Sequence, residues 1–388
     1  MPGCFPAGIL CLTTALLCAV PACQSPSASR GGSTGPGISI RQAPTLQFRG
    51  ANSPNPQQPG DVDCNSPAHW EGDTLYLFNS SGHPWRLAGP DLFHLTQDYR
   101  RVVYNDSANG GRWIECTWKV EDGTLYGWYH FEPSGICPGS HPESTNMSLT
   151  APRIGAVRSK DSGTTWENLG VVLEAPPLLR CDTRNYYFAG GNGDFCTMLD
   201  GKGEYLYFFI STYAGEADKQ GVALARMPWK DRDNPAGKVW KWHEGNWREP
   251  GLGGGITPIF PAAIDWHRSD ADAFWGPSVH WNSYLKQYVM LLNRAVDSHW
   301  KQEGIYISFN KNLSNPLGWS KPIKILDSPG ADRWYPQVMG IDAAKHETDK
   351  VAGKVARLFV RGLSRWEIIF QRDGAAPAVI ESHVRSGY

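Results

Sequence analysis

The sequence lacks an excess of either charge. Lys and Arg number 37 and Asp and Glu 38 among 388 residues, a formal net charge of −1. A nucleic acid or an anionic membrane surface as partner calls for a basic surplus, so the balance argues against both. Charged residues of all kinds are sparse, at 19% against roughly 25% in soluble domains. Cysteine is thin as well: nine residues in a chain of this length exclude a disulfide knot. No CxxC pair or His-rich spacing suggests structural zinc. Beyond the N-terminal leader no run is apolar enough for a membrane helix. The Gly-rich stretch Gly251–Gly255 lacks the Lys-Ser/Thr ending of a phosphate loop, and Pro258 and Pro261 break any helix after it. It reads as a flexible loop.

Aromatic side chains and turn formers are abundant instead. Seventeen Trp, 15 Tyr and 14 Phe make up 12% of the chain, beside 42 Gly and 29 Pro. Short aromatic strands joined by tight turns fit this profile, whereas a helical bundle or a disordered chain does not.

Residues 1–22 read as a signal peptide, with the apolar run Gly8–Ala22 ending in small residues. Val20-Pro21-Ala22-Cys23 resembles a bacterial lipobox, although Met1–Pro6 holds no Lys or Arg and Pro21 lies inside the box. An ordinary cleaved signal is the alternative, and either one exports the protein. Residues 23–43, rich in Ser, Gly and Pro, read as a flexible tether. Attachment to a membrane would rest on a lipid at Cys23, giving an outer-membrane or cell-surface lipoprotein, or else a periplasmic or secreted monomer. Cys64, Cys116, Cys137, Cys181 and Cys196 remain after the leader. One or two disulfides are expected among them, with the pairing open.

From residue 61 onward a pattern recurs: a polar start, a short strand, a turn and an aromatic strand. Its copies are Asp63–Asn79, Trp113–His130, Asp194–Ser211, Trp275–Asn293 and Trp334–Val360. Starts lie roughly 50 to 80 residues apart, the spacing of four-stranded propeller blades with loops. The sequence therefore predicts an all-β protein, a single five-bladed β-propeller over residues 44–388. A terminal strand, Ile38–Phe48 or Ala378–Arg385, should close the ring. Ser159-Lys-Asp161-Ser-Gly163-Thr-Thr-Trp166 matches the Asp-box S-x-D-x-G-x-x-W of sialidase-like propellers, a turn whose role is structural.

In a propeller the inner strand of each blade starts at the central funnel and the second strand returns to it. Asp63, Asp194, Asp272 and Asp332 precede inner strands, and the second unit offers Arg112 and Glu115. Second strands end at Asn79, at His130 with Glu132, at Tyr213, at Arg294 and at Arg361. Several carboxylates facing one funnel meet the need of glycosidic cleavage, in which one carboxyl protonates the leaving oxygen while another activates water or attacks the sugar. The plainer alternative is that these Asp residues cap turns. Trp85, Trp128, Trp275 and Trp334 stand near funnel ends, where indole faces can stack on sugars, or else pack between blades. Arg86, Arg112 and Arg294 are candidates for a carboxylated sugar.

On Asp63-Cys-Asn65-Ser-Pro67, on Asp194 and on the five units, the chain resembles the five-bladed glycoside hydrolases of family 43. The resemblance implies a glycosidase with Asp63 as base, Asp194 as the group that tunes a pKa, and an acid Glu in the fourth blade. There the sequence has Trp275-Gly276-Pro277, so Asp272 and Glu132 are the candidates for the acid. Asn65, Arg86, Arg112, His130, Trp275, Arg294, Trp334 and Tyr335 are the candidate substrate-binding residues. A poly- or oligosaccharide is the expected partner. No cofactor is assigned; a structural Ca²⁺ in the channel, held with help from His130 and His280, is a candidate, the alternative being that these histidines hydrogen-bond within strands. An exo-sialidase using an Arg cluster with Tyr335 or Tyr213, and a non-catalytic glycan-binding propeller, are the alternatives.

Overall fold

The structure, a computed structural model, describes residues 35–55, 58–95, 98–137, 149–327 and 334–372. The leader, Cys23, Asp332 and the segment 378–385 lie outside the described residues. Strand β1 (Gly37–Gln47) comes first, beginning inside the segment read as tether. Blade 1 follows with β2 (Ala68–Glu71), β3 (Thr74–Ser80), β4 (Pro84–Gly89) and β5 (Asp98–Arg101). Blade 2 holds β6 (Val103–Tyr104), β7 (Gly110–Lys119), β8 (Leu125–Pro133), β9 (Arg153–Ser159) and β10 (Thr165–Leu173). Blade 3 holds β11 (Asn192–Leu199), β12 (Tyr205–Thr212), β13 (Gly221–Pro228), β14 (Trp240–His243), β15 (Asn246–Pro250) and β16 (Phe260–Pro261). Blade 4 holds β17 (Ala273–Asn282), β18 (Gln287–Ala295), β19 (Gln302–Asn310) and β20 (Ile323–Asp327). Last come β21 (Pro336–Gly340), β22 (Val351–Ala352), β23 (Val355–Val360) and β24 (Leu363–Gln371).

These strands form five separate sheets, and the protein is a five-bladed β-propeller. The fifth blade runs β21-β23-β24-β1, so the N-terminal strand supplies its outer edge. Ile38 and Ile40 of β1 lie opposite Phe370 and Ile368 of β24, and all four are buried. Closure thus falls to the first of the two segments expected.

Aromatic rings fill the seams between blades. Trp166 of blade 2 meets Phe78 of blade 1 edge-on at 5.8 Å, Trp128 of blade 2 meets Phe208 of blade 3 at 6.0 Å, and Phe209 meets Trp319 at 5.5 Å. Trp128 is therefore a core residue, as is Trp166. The turn before Trp166 is built by Asp161, whose carboxylate accepts the N–H groups of Thr164 and Thr165, while Gly163 adopts a φ of 83°. Among the described residues one disulfide, Cys137–Cys181, ties the exit of β8 to the loop before β11; Cys64, Cys116 and Cys196 are free and buried.

Two features shape the axis. The segment between β21 and β22 is tucked inward: Asp349 accepts the Ala68 N–H at 3.0 Å, Trp70 donates to the Glu347 carbonyl at 3.0 Å, and the Lys350 carbonyl accepts the Trp281 N–H at 2.8 Å. Innermost strands β7, β11 and β17 each slip register at matching places, between Ile114 and Cys116, Gly193 and Cys196, and Trp275 and Ser278. Such bulges re-aim the extra side chain, and two of the three deliver a carboxylate.

Candidate active site

The bulge of blade 2 presents Glu115 and that of blade 3 presents Asp194, both buried. Asp194 has a φ of 38°, left-handed for a non-glycine residue. Its carboxylate accepts the Tyr335 hydroxyl at 3.1 Å and the Tyr213 hydroxyl on its other oxygen. Tyr335 and Arg361, which join it at the centre from blade 5, are also left-handed, with φ of 57° and 49°. Backbone strain of this kind costs about 1–3 kcal/mol per residue and persists where surrounding structure enforces it.

Two alternate residues along β8, His130 and Glu132, bring a second carboxylate from blade 2. His130 Nδ1 faces the Asp194 N–H at 3.0 Å and Nε2 lies 3.2 Å from Glu132 Oε1. Burial opposes the ring's charge, but Glu115, Glu132 and Asp194 hold its pKa well above the ordinary value. Glu115 Oε1 lies 3.4 Å from the same Nδ1, and Glu115 Oε2 accepts the Phe195 N–H at 2.8 Å. Gly193 makes this approach possible, since a Cβ there would stand 2.5 Å from His130 Cε1.

Asp63 enters from blade 1, anchored by its N–H on the Ser80 carbonyl at 2.9 Å. Burial raises its carboxyl to about 7; Arg361 opposes the rise, and Glu132 and Asp194 add to it. Burial likewise lifts Glu115 to about 7 against the pull of His130. Asp194 is also raised, by burial first, with His130 and Tyr213 acting in the opposite direction. Four carboxyl groups from three blades therefore share one centre with one imidazole and one guanidinium. Trp334 borders it, with its indole N–H on the Trp300 carbonyl at 3.0 Å and Arg361 6.0 Å over its ring.

Other candidate residues from the sequence lie elsewhere. Asp272 is held by Arg294 through two hydrogen bonds of 2.8 and 2.7 Å, and both line a cavity with Phe274 and Tyr306. The alternation of a strand explains this: positions 272 and 274 share one face, while Ala273 and Trp275 point to the other. Trp275 is fully buried against Trp300, Trp334 and Tyr335, so both its faces are packed. Gly276 occupies the fourth-blade bulge at φ 55°, where a Cβ would stand 2.6 Å from Asn293 Nδ2. The three arginines do not converge. Arg86 binds Asp98 and the carbonyls of Asp161 and Ser162, Arg112 binds Asp106, and Arg294 binds Asp272. Asn65 donates to the carbonyls of Phe195 and Pro277 at 3.2 and 3.1 Å, clamping blade 1 to blades 3 and 4 at the axis. Trp85 stacks on Tyr99 at 4.6 Å. His280 packs against Phe370 and is lowered to about 3 by burial, apart from His130.

Among the described residues, Glu115, His130 and Asp194 hold ligand atoms within 4.8 Å of one another. This donor set does not fit Ca²⁺, which takes six to eight oxygens. Here one donor is a nitrogen engaged by a backbone N–H, and both Asp194 oxygens already accept phenols.

Glu115, Tyr213 and Arg361 stand at funnel positions in the sequence, yet only the structure makes them parts of one cluster. A carboxylate inside Trp113-Ile-Glu115-Cys-Thr-Trp118, an otherwise apolar strand, was the available signal.

Fold and centre together define a five-bladed propeller whose axis gathers carboxyl groups. No family model and no curated protein matches the chain. Solved structures similar to it include an arabinanase of Bacillus subtilis, 14% identical, with 80% of this chain and 94% of that one covered and a TM-score of 0.43. The α-L-arabinanase of Cellvibrio cellulosa is 15% identical, with 79% and 91% covered and a TM-score of 0.44. An exo-β-1,3-galactanase of Phanerochaete chrysosporium is 12% identical, with 84% and 64% covered and a TM-score of 0.45. Likenesses this distant carry no function to the present chain.

Proposed function

We propose that the protein is a glycoside hydrolase that cleaves a poly- or oligosaccharide at the centre formed by blades 1, 2, 3 and 5. The observation that carries this reading is that Asp63, Glu132 and Asp194, from three blades, lie within electrostatic reach of one another at the axis, with Asp63 buried and raised to about 7. Cleavage of a glycosidic bond needs a protonated carboxyl for the leaving oxygen and an ionised one for water or for the sugar carbon. Asp63 suits the first task. Glu132, with its side chain 30% exposed beside His130, suits the second. This order exchanges the role that the family resemblance gives Asp63, because burial and neighbouring carboxylates favour a carboxyl's neutral form. Asp194, with both oxygens on tyrosines, acts through its charge on Asp63. Trp334 offers a ring for the sugar. Export, with anchoring through Cys23, belongs to the same proposal and rests on the sequence pattern.

A glycan-binding propeller without catalysis is the second reading, favoured by Gly276, which puts no carboxylate in the fourth-blade bulge. Screening the purified protein against plant, algal and bacterial polysaccharides separates the two. On a cleaved glycan, Asp63→Asn should lower kcat by about 10²–10⁴-fold, the usual worth of general acid help. On an aryl glycoside with a good leaving group the loss should be much smaller, since a phenolate departs without a proton. Rescue of Asp63→Asn by azide that yields a glycosyl azide of inverted configuration would make Asp63 the base or nucleophile instead. Binding without release of reducing sugar from any glycan would put the second reading first.

A further inference from the structure

We propose a second carbohydrate-binding site between blades 3 and 4, at the end of the ring opposite the carboxyl centre; as a site for the glycan that is cleaved, it rests on the hydrolase reading. The opposition follows from β11. Asp194 stands near its start and Asp200 just past its end, and six extended residues span about 20 Å. At the Asp200 end a cavity of about 320 Å³ opens, with Asp200, Tyr205, Arg226, Trp281, Tyr288 and Asn312 in its lining. That size sits at the lower end of small-molecule sites.

The lining has the chemistry of a sugar site. Tyr205 and Trp281 pack against the core on one side but are only partly buried, so part of each ring stays exposed, unlike that of Tyr207. Arg226 is wedged between the rings of Tyr205 and Trp247, 4.3 and 4.5 Å from their centroids, and has no carboxylate partner among the described residues. Two flat neighbours hold the guanidinium in place, so its donors need little ordering when a ligand arrives. Asn312 uses its carbonyl oxygen on the N–H and hydroxyl of Ser314, which leaves its amide N–H groups as donors. Charges around the cavity nearly cancel, with Lys202, Arg226 and Lys311 against Asp200 and Glu204. Aromatic faces for C–H surfaces, fixed planar donors and no dominant charge fit an uncharged, hydroxyl-rich ring better than an anion or a lipid.

The test measures binding of arabinohexaose, xylohexaose and β-1,3-galactotriose to the full chain carrying Asp63→Asn, by calorimetry. At least one probe should bind, and adding Tyr205→Ala should weaken it by about 3- to 10-fold, the worth of one aromatic contact. Arg226→Gln serves as a second variant should Tyr205→Ala fail to fold, with the same weakening expected. In the otherwise native protein, Tyr205→Ala should slow cleavage of a polymer and leave a short aryl glycoside unaffected. Failure of all three probes to bind, or binding unchanged in both variants, overturns the second site. Binding that depends on Tyr205, with no hydrolysis of any screened glycan by the native protein, overturns the hydrolase reading and leaves this site standing.

Discussion

Asp63 answers to two opposing demands, stability and chemistry. Its carboxyl is raised from an ordinary 3.8 to about 7 by burial. Between those values the folded chain holds a proton that the unfolded chain has released, so stability falls as pH rises from about 4 to about 7. Asp63→Asn removes the buried charge and keeps the shape. At pH 8 the variant should therefore be more stable than the native protein, by on the order of 1–4 kcal/mol in urea unfolding. At pH 3 the two should unfold alike. Lower stability of the variant at pH 8 would mean that Arg361 holds Asp63 as a carboxylate. Activity should follow the same proton: the rate falls as pH rises through about 7, and that limb vanishes in Asp63→Asn. Strand ends read from the sequence offered Asp63, Asp194, His130 and Glu132 as funnel residues. They could not set Asp272 apart, because the end of a strand leaves open which of its two faces a side chain takes.

At the scale of elements, hairpins do the positioning. Trp166 closes its turn with an indole N–H on the Gly163 carbonyl at 3.0 Å and fills the seam onto Phe78. Trp166→Ala should cost about 3–5 kcal/mol in thermal or chemical unfolding, as for other buried Trp truncations. Activity per folded molecule should survive, since no residue of the centre touches the turn; a loss of activity with stability intact would contradict that separation. The bulge in β17 makes the opposite case. Gly276→Ala should destabilise by about 1–3 kcal/mol, because alanine resists a φ of 55° and its Cβ would press on Asn293. Unchanged unfolding of that variant would show that the bulge can relax. Turns and aromatic strands were legible from composition. Bulges were not, because their register slips depend on what the neighbouring strand offers.

For the whole molecule, closure depends on one strand, and a covalent tie links blades 2 and 3. Reducing Cys137–Cys181 reopens a 44-residue separation between blades 2 and 3. Loop-entropy arithmetic puts the loss at about 4 kcal/mol at most. A reductant should lower the melting temperature and reduce the rate only as far as the loops around the centre loosen. No change in melting would mean that the ring itself already restrains both ends.

The sequence by itself determined the strands, the five-fold repeat and the use of β1 or a C-terminal segment as closing strand. Those follow from local chemistry: aromatic alternation, turn residues and spacing act over a few positions, and each can be read without knowing the rest. Tertiary structure decided which end closes the ring, which cysteines pair, and which charged residues share the axis. Glu115, Tyr213, Tyr335 and Arg361 come from three different blades, and Asp63 owes its raised pKa to its own burial and to the charges of Arg361, Glu132, Asp194 and His130. Arg86, Arg112 and Arg294, alike on paper, each meet a different Asp because neighbouring strands and turns supply one. Interactions of that kind have no length along the chain, and only the closed ring sets them.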